Sequence, residues 1–254
     1  MKLGAVAFVA VAFLSGCDIM FTNVFEKLAP LKVPSASELS TLSTDEIQRL
    51  AEDPDFFDQL ADDPAKQAAV LDNLDDKFSD GTADTPEEQK AAALYAEIQL
   101  KTSGADDVIA RLIGVLTGGD GFDQLDTDPS VLLADLFEES LPTPEEIQAM
   151  VTALHNSWAA YNAIGAGLGT SSLDESLNAG DIAMSAALAA ALEGIERNNV
   201  QLSSEELSNY IYDSIQGNDL AGYGSVTFND SYLMGDAIDN LLSAAGLDPS
   251  DMGL

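Results

Sequence analysis

The chain has one cysteine, Cys17, and one histidine, His155. A disulfide needs two thiols, and zinc sites built from several Cys and His ligands need more such residues than the chain contains. Dithiol redox chemistry within the chain and multi-ligand zinc sites are therefore excluded. A serine–histidine–acid triad has only His155 available, and no nucleophile-elbow motif accompanies it. Because His155 stands beside Leu154 and Trp158 in a helical pattern, we expect it to pack between helices.

Basic residues are scarce. The chain has 10 Lys and Arg against 44 Asp and Glu, a net charge of −34. Such a field repels nucleic acid and anionic membrane surfaces, so no nucleic-acid partner is expected. The acidity fits a surface that binds cationic ligands, calcium or a basic protein. It also fits a solvated coat adapted to high salt, where screening weakens self-repulsion. The acidic residues are spread over every segment, which favours the coat.

A long apolar run occurs only at the start of the chain, where Lys2 precedes the apolar stretch Leu3–Phe13. This run is too short for a transmembrane helix, which needs about 20 residues. A charged start, an apolar middle and small residues at the end fit an export signal. The quartet that follows, Leu14-Ser15-Gly16-Cys17, resembles the lipobox of bacterial lipoproteins.

The resemblance implies cleavage between Gly16 and Cys17. It also implies a diacylglyceryl group on the thiol of Cys17 and, often, a further acyl chain such as palmitate on the new amino group. Two or three acyl chains hold a protein stably at a membrane. Asp18 resembles the inner-membrane retention signal of enteric lipoproteins. We therefore expect a lipid-anchored protein that faces the periplasm or the cell exterior, with Asp18 favouring the inner membrane.

This assignment divides the chain into a signal peptide (1–16), a lipidated tether (17–42) and an acidic helical domain (43–254). The tether contains Pro30, Pro34 and a Ser/Thr-rich run, which is the composition of a spacer. Within the domain, residues 118–128 mark a candidate boundary between two helical halves. A single helical bundle is the alternative.

Helix-start signals recur from Ser43 onward. Four capping boxes pair a Ser or Thr with a Glu three residues later, and they begin at Ser43, Thr85, Thr143 and Ser203. Three Asp-Pro pairs place proline at a first helical position: Asp53-Pro54, Asp63-Pro64 and Asp128-Pro129. Apolar residues follow at i, i+3 and i+4. The pattern predicts an all-α fold of about nine to ten amphipathic helices, with residues 222–228 as the only candidate extended segment.

The segment Ala183–Ala191 is rich in alanine. It is too short to cross a membrane, and charged residues flank it. We therefore expect a helix that packs closely in the core and whose apolar stripe includes Leu188, Leu192 and Ile195.

Two loops have the composition of ligand sites. Gly165–Thr170 is glycine-rich like a phosphate loop, but it follows a helix and lacks the Walker lysine, so it predicts a helix end. Asp120, Asp123, Asp126 and Asp128 supply oxygen ligands that suit calcium. Their spacing does not match an EF-hand, since Val131 would stand where the motif needs glycine. Calcium remains a weak candidate, and we assign no catalytic, cofactor-binding or metal-binding residue.

Four aromatic residues fit either a ligand groove or the core, and their helical spacing favours the core: Trp158, Tyr161, Tyr210 and Tyr212. The sequence as a whole favours a non-enzymatic lipoprotein that binds, scaffolds or assembles envelope components, with a protein partner in the envelope. The alternative is an accessory or solute-binding lipoprotein of a transport system. A carboxylate-dependent envelope hydrolase is a third candidate.

These three functions predict different surfaces. A scaffold presents an exposed apolar strip. A transport component presents a concave, aromatic-lined pocket with a few converging polar groups. A hydrolase presents two inward-facing carboxylates close together in a cleft.

Overall fold

The structure is a computed structural model that describes residues 32–53, 55–117, 129–137, 143–198, 200–233 and 235–247. The lipobox, Asp18, Pro54 and the aspartates at 120–128 lie outside these ranges, as does the candidate boundary at 118–128. The chain divides into two compact units, residues 1–70 and 71–254.

The described residues form eleven α-helices and one small sheet, which confirms the all-α prediction. The helices are α1 (Ala36–Leu39), α2 (Thr44–Ala51), α3 (Asp55–Ala61), α4 (Pro64–Asp75), α5 (Pro86–Ser103), α6 (Ala105–Thr117), α7 (Pro129–Phe137), α8 (Pro144–Gly167), α9 (Ala179–Glu193), α10 (Ser204–Gln216) and α11 (Asp236–Ala244). Short 3₁₀ turns occupy Leu220–Tyr223 and Asp230–Tyr232. Within the described ranges, no helix is both long enough and apolar enough to span a membrane.

The four predicted capping boxes all form, at the starts of α2, α5, α8 and α10. In each box the cap hydroxyl accepts a hydrogen bond from the backbone N–H of the Glu, whose carboxylate reaches back to the cap. The bonds from the cap residue hold the pKa of Glu46, Glu146 and Glu206 below the usual value. Proline opens α4 and α7, as two of the Asp-Pro pairs predict, and it also follows the capping threonines at the starts of α5 and α8. Local sequence therefore decides where these helices begin.

The first unit has its own apolar core. Phe56 and Phe57 are buried and meet edge to face, with 5.5 Å between ring centroids. Val33 and Leu39 are buried too, and the Val33 N–H donates to Gln59 Oε1 at 3.3 Å. Folded structure therefore extends into residues 33–42, which the sequence assigns to the tether.

Helix α8 is the centre of the second unit, and it packs against α5, α6, α9, α10 and α11. Its neighbour α9 is the alanine-rich helix. Ala183, Ala186 and Ala190 are fully buried in α9. This confirms the predicted close packing, because alanine lets helix backbones approach.

A three-stranded antiparallel sheet follows α9 in the order β2-β1-β3: β1 (Ile195–Arg197), β2 (Val200–Gln201) and β3 (Val226–Phe228). Glu196 of β1 stands opposite Gln201 on one side and Thr227 on the other. The extended segment predicted at 222–228 is confirmed for 226–228, whereas Leu220–Tyr223 forms a 3₁₀ turn.

The expectation that Ile195 belongs to the alanine-rich helix is wrong. The helix ends at Glu193, and Ile195 is a fully buried strand residue. The turn lies at Gly194, where an added Cβ would stand 2.6 Å from the Phe228 ring and 2.7 Å from the Asn229 carbonyl oxygen. Ile195 is apolar because its position in β1 is buried. Its interval of three residues from Leu192 matches the helical pattern only by coincidence.

Two glycines near the end of α8 allow backbones to meet. A Cβ at Gly165 would lie 2.3 Å from the carbonyl oxygen of Ala237 in α11. A Cβ at Gly167 would lie 2.2 Å from the carbonyl oxygen of Ala83, just before α5. Real Cβ atoms do not come so close to backbone atoms. The stretch Gly165–Thr170 ends the helix as predicted, and its glycines also permit this packing.

We expect Gly165→Ala to lower the free energy of unfolding by about 2 kcal/mol or more, because overpacking against a backbone forces elements apart. Alanine's higher helix propensity acts in the opposite direction by at most about 1 kcal/mol. Urea unfolding followed by circular dichroism measures the difference. Gly222→Ala is the control, since a Cβ there meets nothing within 4 Å. Equal unfolding midpoints for the two variants would contradict the close contact.

Candidate binding cleft

The four aromatic residues considered above have different environments. Tyr161 and Tyr210 are each 4 % exposed and belong to the core, as their spacing favours. Tyr212 is half-buried. Trp158 is also half-buried, and its side chain lines a cleft on the surface of the second unit. Trp158 is therefore the aromatic residue to which the groove interpretation applies.

The cleft has a volume of about 530 Å³ and lies between the outer side of α8 and the segment that leads into α11. Trp158, Asn162 and Ala166 follow one another at intervals of four residues and form a stripe along α8. The opposite wall consists of Ser231, Tyr232, Gly235, Asp236, Ala237 and Asn240. The cleft thus joins two segments more than 60 residues apart in the printed sequence.

Hydrogen bonds hold the second wall at both ends. At one end, Asn229 donates its backbone N–H to the Gly194 carbonyl at 2.8 Å and its side-chain amide to Glu196 Oε1 at 3.1 Å. At the other end, Asn240 Nδ2 donates to the Gly165 carbonyl at 2.9 Å. The bonds of Asn229 tie the segment to the start of the sheet, whereas the bond of Asn240 and the backbone contact at Gly165 hold it against α8. The fold thus holds this wall of the cleft at both ends.

The lining of the cleft combines two aromatic rings with uncharged polar groups and one carboxylate. Trp158 and Tyr232 supply the rings, while Asn162 and Asn240 supply amides. Among the described side chains that line the cleft, Asp236 carries the one charge. Such a surface can recognise a ligand through ring contacts, hydrogen bonds and a single negative charge. Its described side chains supply one carboxylate, whereas glycoside hydrolysis by the usual route needs two.

His155 does not pack as an apolar helix residue. Its ring is 55 % exposed, and Nδ1 contacts Oε1 of Glu193 in α9. Gln201 Nε2 donates to the other oxygen of that carboxylate. Glu193 is only 6 % exposed, so the two partners satisfy a buried charged group. The histidine joins α8 to α9 as expected, but it does so by a polar contact.

A second group of carboxylates lies away from the cleft. Burial, followed by the nearby charge of Glu97, raises the pKa of Asp181. Glu97 itself forms an ion pair with Lys101 at 2.9 Å. Neither acid lines the cleft. Among the described residues, no group of three or more His, Cys, Asp or Glu side chains is placed to hold a metal ion.

No family model, curated protein or solved structure matches this chain.

Sequence reasoning identified Trp158 as a groove candidate but missed the opposite wall. Tyr232, Asp236 and Asn240 lie in a segment without a motif. The i, i+4, i+8 stripe of Trp158, Asn162 and Ala166 was a usable signal. It places a large aromatic ring next to an amide and a small residue on one helix face, which is unusual for a core stripe.

We expect His155→Ala to lower the free energy of unfolding by about 1 kcal/mol, because a buried acceptor loses a partner. This cost lies at the low end of the range for a buried acceptor that loses its partner, because His155 is exposed and water can take the place of its ring. Chemical denaturation measures it. Gln148→Ala, an exposed position on the same helix, is the control. If both variants unfold at the wild-type midpoint, Glu193 does not depend on His155.

We expect Asp181→Asn to raise the melting temperature at pH 7. The raised pKa of Asp181 means that the folded state favours the protonated carboxyl, so ionisation costs stability at neutral pH. As pH falls through that raised pKa to below the ordinary value of about 3.9, the gap between variant and wild type should close. Asp239→Asn makes the same charge change at an exposed site. A gap that is constant with pH would contradict this account.

Proposed function

We propose that this chain is a bacterial envelope lipoprotein, anchored by lipid on Cys17, whose helical part has a non-enzymatic binding role. The lipobox quartet Leu14-Ser15-Gly16-Cys17 supports the anchor, and Cys17 is the only cysteine. The preformed cleft between α8 and the Ser231–Asn240 segment is the observation that supports binding.

The exposed apolar surface favours binding over scaffolding. Within the described ranges, the exposed large hydrophobic residues are Val131 at 51 % and Val200 at 67 %. They stand on separate elements, α7 and β2. Two single residues do not make the contiguous apolar patch that a scaffolding interface uses. A protein partner in the envelope would therefore meet a polar, acidic surface.

The cleft also favours the second candidate, an accessory or solute-binding lipoprotein of a transport system. Its volume of about 530 Å³ falls within the range of small-molecule sites. Its walls carry aromatic rings and a few polar groups, as that function requires. The third candidate, a carboxylate-dependent hydrolase, is supported less well, because the described lining of the cleft supplies one carboxylate, that of Asp236.

For the anchor, we expect Cys17→Ser to move most of the protein from the membrane fraction to the soluble fraction when the full chain is expressed in an enteric bacterium. The reason is that the acyl chains attach through this sulfur, and two or more chains are needed for stable anchoring. Ultracentrifugation of lysed cells, followed by detergent extraction of the pellet, gives the two fractions.

Asp18→Asn is the matched control. It keeps the lipobox, so the variant should stay in the membrane fraction. If Asp18 acts as the retention signal, this variant should shift from inner to outer membranes in a density gradient. Wild-type fractionation of Cys17→Ser would overturn the lipoprotein proposal, whatever the cleft binds.

A further inference from the structure

We propose that the cleft between Trp158 and Asp236 binds a small organic cation that carries an ammonium group. The inference rests on the binding role proposed above and adds the class of ligand. It uses residues of the second unit alone, so it does not depend on the lipid anchor.

The aromatic residues are the first reason. Trp158 and Tyr232 are half-buried residues that line the cleft. The face of an aromatic ring carries partial negative charge and attracts ammonium groups, with Trp as the strongest partner. Methyl or methylene groups on the nitrogen of the ligand would contact the apolar ring surface at the same time.

The charges of the lining are the second reason. Asp236 contributes a carboxylate that forms no ion pair within the described part of the chain, so it is available to a ligand. No Lys, Arg or His stands among the described residues that line the cleft. The described basic residues of the second unit all have partners outside the cleft, either carboxylates or a backbone carbonyl: Lys77, Lys90, Lys101, Arg111 and Arg197.

The charge of the whole chain is the third reason. A net charge of −34 raises the local concentration of cations and lowers that of anions at every surface recess. An anionic ligand would therefore meet repulsion from Asp236 and from the surrounding field. The amides of Asn162 and Asn240 are neutral and suit the polar end of a cation without changing this preference.

The walls determine how selective the site can be. Asn229 and Asn240 tie the Ser231–Asn240 segment to β1 and α8, and the two walls meet closely at Gly165. Walls that the fold holds at both ends favour some ligand shapes over others. This separates the proposed site from the general attraction between a polyanion and any cation.

Choline is a suitable probe, and its neutral carbon isostere 3,3-dimethyl-1-butanol is the matched comparison. Trp158 is the only tryptophan in the chain, so its fluorescence reports from the cleft. The full chain, purified in an uncharged maltoside detergent, is titrated with either probe while sodium chloride keeps the ionic strength constant. We expect a saturable change in Trp158 emission with choline and a binding constant roughly tenfold weaker for the isostere.

Two variants locate the charge. Asp236→Asn removes the carboxylate of the cleft and should weaken choline binding by up to about fivefold, because the carboxylate is exposed to water. Asp239→Asn removes the same charge from the same helix at a position that does not line the cleft. It should leave the binding constant within about twofold of wild type. Circular dichroism checks that both variants are folded.

Three results would overturn the inference. No saturable change with choline in the wild-type chain would remove the ligand class. Equal binding of choline and the isostere would mean that the cleft selects shape and not charge, which leaves the proposed binding function intact. Equal weakening by Asp236→Asn and Asp239→Asn would mean that the chain attracts cations only as a polyanion. None of these results bears on Cys17.

Discussion

The backbone contact of α8 at Gly165 and Gly167 is the constraint on which the second unit depends. At these positions no side chain separates α8 from Ala237 of α11 or from Ala83 before α5. Hydrogen bonds accompany both contacts, from Asn240 to the Gly165 carbonyl and from the Ala83 N–H to the Ala163 carbonyl. A contact between backbones cannot be relieved by a change of rotamer, so it fixes where both segments cross α8. The width of the cleft follows from that crossing, because Asn162 and Trp158 stand about one and two turns before Gly165 on the same helix.

The part of the fold that sequence predicts is the part that short-range chemistry decides. A capping box closes within three residues, so Ser43, Thr85, Thr143 and Ser203 locate four helix starts without tertiary information. The alanine-rich helix was predicted for a similar reason, because its small side chains alone indicate that a neighbouring helix can approach closely.

The errors occur where residues distant in the sequence determine the local structure. Gly194 ends α9 because Phe228 and Asn229 occupy the space of a side chain, and nothing near Ile195 in the sequence announces that. For the same reason the cleft was not predicted: the helical spacing of Trp158 favoured the core over a groove, and Tyr232 and Asp236 come from a segment whose position depends on packing.

The charge of this chain acts on two length scales. Most acidic side chains in the described ranges are exposed. Together they create a negative potential that attracts cations over the whole surface without selecting one kind of cation. Specific effects arise where a carboxylate is partly removed from water. Glu193 is buried and has two polar partners. Asp181 is partly buried near Glu97, and burial raises its pKa. Asp236 is exposed but stands beside two rings in a fixed recess. A salt-adapted coat and a cation site are therefore compatible, because the coat determines the average potential and the recess determines the geometry.

The strength of the interactions in the cleft limits what such a site can do. A cation–π contact contributes about 0.5–2 kcal/mol, and an exposed ion pair contributes about 1 kcal/mol or less. Two rings and one carboxylate therefore supply a few kcal/mol, which corresponds to dissociation constants near the millimolar range. Ligands held this weakly leave quickly. A site of this kind suits exchange with an abundant ligand better than the capture of a rare one. Because the cleft is preformed, little of the interaction energy is spent on ordering the protein, and that is the condition under which so few contacts can still discriminate between ligands.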